Sequence, residues 1–169
     1  MRRAHWLLLT LLAICAIPSA CPAQTVCPWM NAATASGFLG GDVGAAVTGV
    51  TPDGDATCDF KLGAASGSLL RIAVHTMAHT QQEFPGYLAQ CASGAVALKG
   101  IGNEAVRCLA SSGVNKGNEL IIGRVRERVF VITIKAEWIG RPPTSPMKTR
   151  NPMSDDSENV AEQVAGSLF

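Results

Sequence analysis

Apolar and polar residues alternate along several segments of the chain, and a period of two is typical of strands with one buried face. Residues 69–76 place apolar side chains on one face and leave Arg71 and His75 on the other. Residues 128–137 begin with apolar side chains on both faces, which predicts a covered central strand. Residues 43–51 and 56–62 flank Pro52-Asp53-Gly54-Asp55, a hairpin signal that predicts two further strands, and residues 104–110 and 119–125 are predicted as two more around a polar loop.

Sequence patterns typical of helices precede and follow this set of strands along the chain. Asn31 is a suitable N-cap for a short helix that Gly40 and Gly41 would stop. Beyond Ser154, apolar residues recur every three or four positions, which predicts a closing helix with one apolar stripe. A brief helix is also expected over residues 83–90. This order predicts an α+β fold, an antiparallel sheet of about five to six strands with the N-terminal and C-terminal helices packed on it.

The first 23 residues have the layout of a signal peptide. Arg2 and Arg3 precede an apolar run over residues 6–17, and small residues follow before Ala23. The run is shorter than the roughly 20 residues that cross a bilayer, so no transmembrane segment is expected in the mature chain. Cleavage after Ala23 predicts a single periplasmic or secreted domain of residues 24–169.

Two further features bear on this organisation. Residues 139–152 contain four prolines in a polar setting, which predicts an exposed connector before the closing helix. Cys21 offers the alternative of cleavage after Ala20 and a lipid anchor on the cysteine, which would attach the protein to a membrane. Pro18 departs from the aliphatic residue that lipidation favours three positions before the cysteine.

Four cysteines remain in the mature chain, namely Cys27, Cys58, Cys91 and Cys108. An exported chain uses an even set as disulfides, and three pairings are open. Pairing Cys27 with Cys58 and Cys91 with Cys108 is preferred because each bridge then encloses one compact unit, although the sequence does not decide. The absence of a Cys-x-x-Cys motif disfavours a zinc site or a redox pair.

The net charge and the short motifs of the chain disfavour several classes of function. Fourteen Lys and Arg against thirteen Asp and Glu give a formal charge of +1, so no nucleic-acid partner is expected. Gly100, Gly102 and Ala105 fit a dinucleotide-binding fingerprint, yet no helix is predicted after the glycines, and we interpret them as a turn. Two histidines and no Gly-x-Ser-x-Gly motif in the mature chain disfavour a hydrolase, so neither an enzyme nor a cofactor is expected.

A copper site is the alternative to an organic or protein ligand. His75, Met77 and His79 offer imidazole and thioether ligands, which suit copper in an exported protein. On a strand, however, four residues separate the two histidines by about 13 Å, too far to share one ion. We therefore expect no metal ligands among the site residues unless the backbone turns there.

Four short motifs are similar to those of a group of small exported bacterial proteins of unknown function, many of them lipoproteins. They are Cys-Pro-Trp-Met-Asn at residues 27–31, Leu-Gly-Gly at 39–41, Cys-Asp-Phe at 58–60 and Gly-Ile-Gly-Asn-Glu-Ala at 100–105. The resemblance implies export, an antiparallel sheet with helices on it, and a cystine between Cys27 and Cys58. It carries over no catalytic residues.

These observations together predict an exported non-enzymatic domain. Its unknown protein partner or small-molecule ligand in the cell envelope would bind on the polar face of the sheet. Arg71, His75 and Arg124 are the candidate binding residues, since charged and imidazole groups on an exposed strand face are suited to polar or anionic ligands. The copper-handling role of His75, Met77 and His79 is the alternative.

Overall fold

The computed structural model describes residues 26–63, 66–135 and 152–169. Within them, seven antiparallel strands form one sheet in the order β1-β2-β3-β7-β6-β5-β4. The strands are β1 (Val43–Thr48), β2 (Ala56–Leu62), β3 (Leu69–Thr76), β4 (Val96–Leu98), β5 (Glu104–Leu109), β6 (Glu119–Val125) and β7 (Arg128–Lys135). The helices are α1 (Ala32–Leu39), α2 (Thr80–Leu88) and α3 (Pro152–Gly166), with a 3-10 turn at Gly113–Asn115.

The predicted α+β class with an antiparallel sheet is confirmed, and the sheet has seven strands, more than the predicted five to six. The additional strand is β4, which has only three residues and pairs with β5 at the edge of the sheet. The predicted signal peptide over residues 1–23, with Cys21 in it, lies outside the described residues, as does the predicted connector up to residue 151. Pro152 belongs to α3 instead of the connector.

The core is built on one face of the sheet, here called the closed face, against which α1 and α3 pack. In the central strands β3 and β7, alternate residues on this face are fully buried, and Ile72 pairs directly with Ile132. Burial of apolar side chains such as these is the dominant favourable contribution to folding. The closing helix contributes Val160, Ala161, Val164 and Ala165 of the predicted stripe, and Leu168 follows the helix; all five are buried.

The N-terminal helix forms where the sequence predicts it. The Asn31 side chain accepts a hydrogen bond from the Thr34 amide at 2.8 Å, and Gly40 ends the helix with a φ of 80°. A disulfide between Cys27 and Cys58 ties the approach to α1 to the buried face of β2. Of the three pairings that the sequence leaves open, the preferred one is present.

The opposite face of the sheet, here called the open face, is covered in part by α2. Phe84 of α2 is buried in a second apolar cluster with Met77, Leu120 and Ile122. The second disulfide, Cys91–Cys108, joins the segment after α2 to β5. The helix begins at Thr80 instead of residue 83, since Glu83 accepts a hydrogen bond from the His79 amide at 2.7 Å and thereby caps the first turn.

None of the helices in these described ranges is both long and apolar enough to cross a bilayer.

Candidate functional site

On the part of the open face formed by β1, β2 and β3, every residue is at least partly exposed, as is Val131 of β7, whereas Thr133 beside it is buried. Cross-strand register fixes their arrangement, because residues that pair directly point to the same face. One row runs from Thr57 through Ala73 to Val131, and the next runs from Asp59 through Arg71 to Thr133. We call this surface the open-face patch, formed by Gly44, Ala46, Thr57, Asp59, Lys61, Arg71, Ala73, His75 and Val131.

Arg71 is held in the patch by a two-pronged ion pair. Its Nε lies 2.6 Å from Asp59 Oδ1 and its Nη2 lies 2.8 Å from Asp59 Oδ2. The hydrogen bond from Arg71 holds the pKa of the Asp59 carboxyl below its usual value, and the same contact raises the pKa of Arg71. The fork geometry makes the pair a rigid polar feature of the surface. Asp59 is a site residue that sequence reasoning missed, because its partner depends on the register of β2 and β3.

His75 stands at the border between the patch and α2. Its ring stacks on Tyr87 with centroids 6.3 Å apart and ring planes 23° apart. Burial raises the pKa of the Tyr87 phenol, and the negative charges of Glu83 and Asp55 raise it further. The two rings together form an aromatic surface next to Ala73, the neighbouring open-face residue of β3. Sequence reasoning also missed Tyr87, since nothing local in the sequence shows that this residue of α2 comes to lie beside His75.

Arg124 lies on the same face as His75, and both pair with Val129 from opposite sides. Two strand spacings therefore separate them, about 10 Å. The Nε of Arg124 forms an ion pair with Glu104, and its Cζ lies 5.8 Å from the centre of the Phe84 ring. Arg124 thus packs against α2, outside the open-face patch. The structure brings Arg71 and His75 into one surface and sets Arg124 apart from it.

The residues of the copper hypothesis have different surroundings. His75 is a partly exposed strand residue, Met77 is 2% exposed inside the cluster beneath α2, and His79 is an exposed residue preceding that helix. Among residues 26–63, 66–135 and 152–169, no three His, Cys, Asp or Glu side chains are grouped so that they would hold a metal ion. No observation favours copper binding over the binding of an organic ligand or a protein.

The Gly-x-Gly motif has a structural role. Gly100 and Gly102 have φ values of 81° and 60°, and the Asn103 amide donates to the Arg124 carbonyl at 2.8 Å. The Asn103 side chain in turn accepts from the Arg126 amide at 2.6 Å. This turn therefore fastens the start of β5 to the β6–β7 hairpin. No helix follows the glycines, so the fingerprint of a dinucleotide site is not completed.

Comparison of the chain with protein-family models, curated proteins and solved structures finds no match. The chemistry of the open-face patch is therefore the basis on which a function can be inferred.

Proposed function

We propose that this chain is an exported, non-enzymatic binding domain that holds a protein partner or a small ligand on its open-face patch. The observation that carries the proposal is the unequal cover of the sheet. α1 and α3 bury the closed face and α2 covers the β5–β6 side of the open face, whereas the patch residues on β1–β3 are at least partly exposed.

The residues of the patch are more typical of a surface that binds a ligand than of one that catalyses a reaction. The middle of the patch is a shallow surface of short side chains, which come from Thr57, Ala73 and Val131. The Arg71–Asp59 ion pair lies on one side of this surface, and the His75–Tyr87 ring pair lies on the other. Aromatic and arginine side chains around a compact apolar centre are typical of protein interfaces. Arg71 and His75 supply polar groups that would orient a ligand, and the short side chains between them set the shape of the surface.

Site-directed photocrosslinking tests this proposal even though the ligand is unidentified. A benzophenone amino acid is placed at Ala73 in the patch and, as a matched control, at Ala33, which is exposed on α1. Irradiation in the cell envelope should give an adduct of defined added mass from position 73 and none from position 33. Equal adducts from both positions, or no adduct from position 73, would contradict the proposal.

A pair of histidine substitutions sharpens the result. His75→Ala removes a ring from the patch, whereas His79→Ala removes an exposed ring outside it. We expect the first to reduce the yield of the Ala73 adduct and the second to leave it unchanged. Both variants should keep the unfolding transition of the wild type, so that a lower adduct yield reports a lost contact and not a loss of fold. Equal yields in the two variants would assign the adduct to a surface other than the one beside His75.

Export is part of the proposal and rests on the cysteines. Two disulfides are expected in proteins of an oxidising compartment, such as the periplasm or the extracellular space. Intact mass of the protein from cell envelopes should show a chain beginning at Gln24 that gains four alkyl groups only after reduction. A diacylated or triacylated Cys21 would instead place the domain on a membrane. Alkylation without reduction would contradict the oxidised state.

A further inference from the structure

Three basic side chains lie near one another at one end of the open face. Lys61 of β2 pairs directly with Leu69 of β3, and Leu69 pairs directly with Lys135 of β7. Because paired residues point to the same face, the two lysines flank Leu69 in one cross-strand row, about 10 Å apart. Arg71 is on the same face, two residues further along β3 and roughly 7 Å from Leu69. We call Lys61, Arg71 and Lys135 the basic cluster.

The side chains of this row are accessible from the open face. Leu69 is only partly buried and points away from the closed-face core, to which its neighbour Leu70 belongs. Lys61 and Lys135 are both exposed. Since a lysine carries its charge on a flexible four-carbon stem, both ammonium groups can approach one ligand group that is bound above Leu69. The row therefore brings two positive charges to one apolar side chain.

The positive charges of the basic cluster are only partly compensated. Among the described residues, the one carboxylate in the two cross-strand rows of the cluster is Asp59, whose two oxygens both accept from Arg71. No carboxylate oxygen of the described residues lies within 4.0 Å of the side-chain nitrogen of Lys61 or Lys135, and this includes Asp42, which precedes β1. Three positive charges against one negative charge leave an excess of two in these rows.

Arg71 keeps hydrogen-bond donors that Asp59 does not use. Of the five N–H donors of a guanidinium, Asp59 accepts one from Nε and one from Nη2. The other three have no acceptor among the described residues, and the side chain is 39% exposed. Adjacent N–H groups of a guanidinium match two oxygens of a phosphate group, so Arg71 can bind Asp59 and an anion together. The contact with Asp59 also holds the guanidinium in place, which reduces the entropy lost on binding.

We propose that the basic cluster binds a phosphate monoester group of the ligand. The inference rests on the proposed function, because Lys61 and Arg71 belong to the open-face patch, and it names the chemical class of the ligand held there. At neutral pH such a group carries a charge of about −2, which matches the excess charge of the cluster, whereas one carboxylate would balance only half of it. Two of its oxygens would accept from Arg71, and the two lysines would contact it from either side of Leu69.

The size of the basic cluster favours one phosphate group over a phosphate polymer. A typical protein on DNA contacts roughly six to ten phosphates, and the cluster has three cations. The rest of the ligand would lie along the short side chains of Thr57 and Ala73, towards His75. The phosphate group would thus fix one end of the ligand, and the other contacts of the patch would select what is attached to it.

A titration with inorganic phosphate tests the proposal. Amide shifts in two-dimensional NMR spectra are followed at neutral pH and constant ionic strength, as chloride is replaced by phosphate. The amides of Lys61, Leu69 and Lys135 should shift and saturate. Lys61→Gln and Lys135→Gln should each weaken binding about threefold, and the double variant about tenfold, because single exposed charge contacts are weak. Arg71→Lys keeps the charge and loses the two-pronged geometry, so it should weaken binding as well.

The matched control removes the same charge at the opposite end of the sheet. Lys99 is exposed just beyond β4, and Lys99→Gln should bind phosphate as the wild type does. Thermal unfolding checks the fold of every variant, and substitution of these exposed lysines should leave the unfolding transition unchanged. Shifts that do not saturate, or a double variant that binds as tightly as the wild type, would overturn the proposal. An equal loss in Lys99→Gln would also overturn it, because it would show an effect of net charge only.

Vesicles identify the source of the phosphate group. Phosphatidylcholine vesicles that contain phosphatidic acid carry a phosphate monoester as a lipid headgroup, and vesicles of phosphatidylcholine alone are the control. Cosedimentation with the first vesicles only, lost in the double variant, would assign the group to a membrane lipid. Saturable phosphate binding without cosedimentation would assign it to a soluble compound. Cosedimentation that the double variant retains in full would contradict binding by the basic cluster.

Photocrosslinking at Ala73 separates this inference from the proposed function. If the Ala73 adduct forms and inorganic phosphate neither binds the basic cluster nor reduces the adduct, the proposed function stands and the phosphate proposal fails. If phosphate binds the cluster and no adduct forms, phosphate binding stands and the proposed function fails. An adduct that phosphate suppresses in the wild type and not in the double variant would support both.

Discussion

Replacing Gly102 with alanine should destabilise the domain more than the same change at Gly100, two residues earlier in the motif. Both glycines have positive φ values, 60° at Gly102 and 81° at Gly100. A Cβ on Gly102 would collide with the carbonyl oxygen of Arg124, whereas a Cβ on Gly100 would meet nothing within 4 Å. The pair therefore separates the cost of the backbone conformation from the cost of the contact.

The magnitude follows from these two contributions. An alanine in the left-handed region costs about 1 kcal/mol, and this applies at both positions. At Gly102 the collision is with backbone that also accepts the Asn103 amide, so relief requires moving the β6–β7 hairpin, at a cost of about 2 kcal/mol. We expect losses in the free energy of unfolding of about 3 kcal/mol for Gly102→Ala and about 1 kcal/mol for Gly100→Ala.

Denaturant and thermal unfolding with both disulfides intact measure this difference. At about 3 °C per kcal/mol for a domain of this size, the melting temperature should fall by about 9 °C for Gly102→Ala and about 3 °C for Gly100→Ala. Denaturant slopes should be unchanged, because the unfolded states are comparable. Equal losses at the two positions, or a loss at Gly102 below about 1 kcal/mol, would refute the assignment of Gly102 to a steric contact with β6.

Three further predictions concern stability and titration. Replacing both Cys91 and Cys108 by serine should lower the free energy of unfolding by about 3 kcal/mol, since the bridge closes a separation of 17 residues; an unchanged denaturation midpoint would contradict this. Because Arg71 lowers the pKa of Asp59, the ion pair stabilises the fold above the ordinary carboxyl pKa and loses that effect as pH falls through the lower native value. In acid, wild type should therefore lose roughly 0.5 kcal/mol more stability than Asp59→Asn, and parallel pH profiles would count against the pair. The pKa of Tyr87, the chain's one tyrosine, should exceed 10.0, so stability should fall as pH rises through the native value; phenolate absorbance measures it, and a midpoint at or below 10.0 would be the opposite result.

Local sequence patterns were sufficient to predict the long strands, but they were not sufficient to predict β4. Alternation predicts residues 69–76, and the apolar run after the preceding loop predicts residues 119–125, both with the bounds that the structure has. Val96–Leu98 has only three residues, of which two are exposed, so its sequence shows no period. It is a strand because it pairs with β5, and that pairing is a long-range contact. Propensity alone does not contain such information.

In the candidate site, too, local sequence predicts some features, and others depend on tertiary contacts. Alternation along β3 places Arg71 and His75 on one polar face, as the structure has them. Their partners depend on other elements, since the Asp59 contact requires the register of β2 and the Tyr87 contact requires α2 to bring that ring beside His75. Arg124 shares their face, yet its packing against Phe84 removes it from their surface. Strand period thus predicts orientation, and tertiary packing decides which neighbours a side chain meets.

The packing of α3 has a consequence for how this chain folds after synthesis. α3 buries Val164 in the same core as Trp29, and Gln163 donates to the Trp29 carbonyl at 3.2 Å across 134 residues of sequence. Until α3 has emerged, the closed face of β6 and β7 lacks part of its cover, and the core cannot close. Long-range contacts of this kind slow folding. The closed-face core is therefore completed only when the last residues of the chain are available to pack against Trp29.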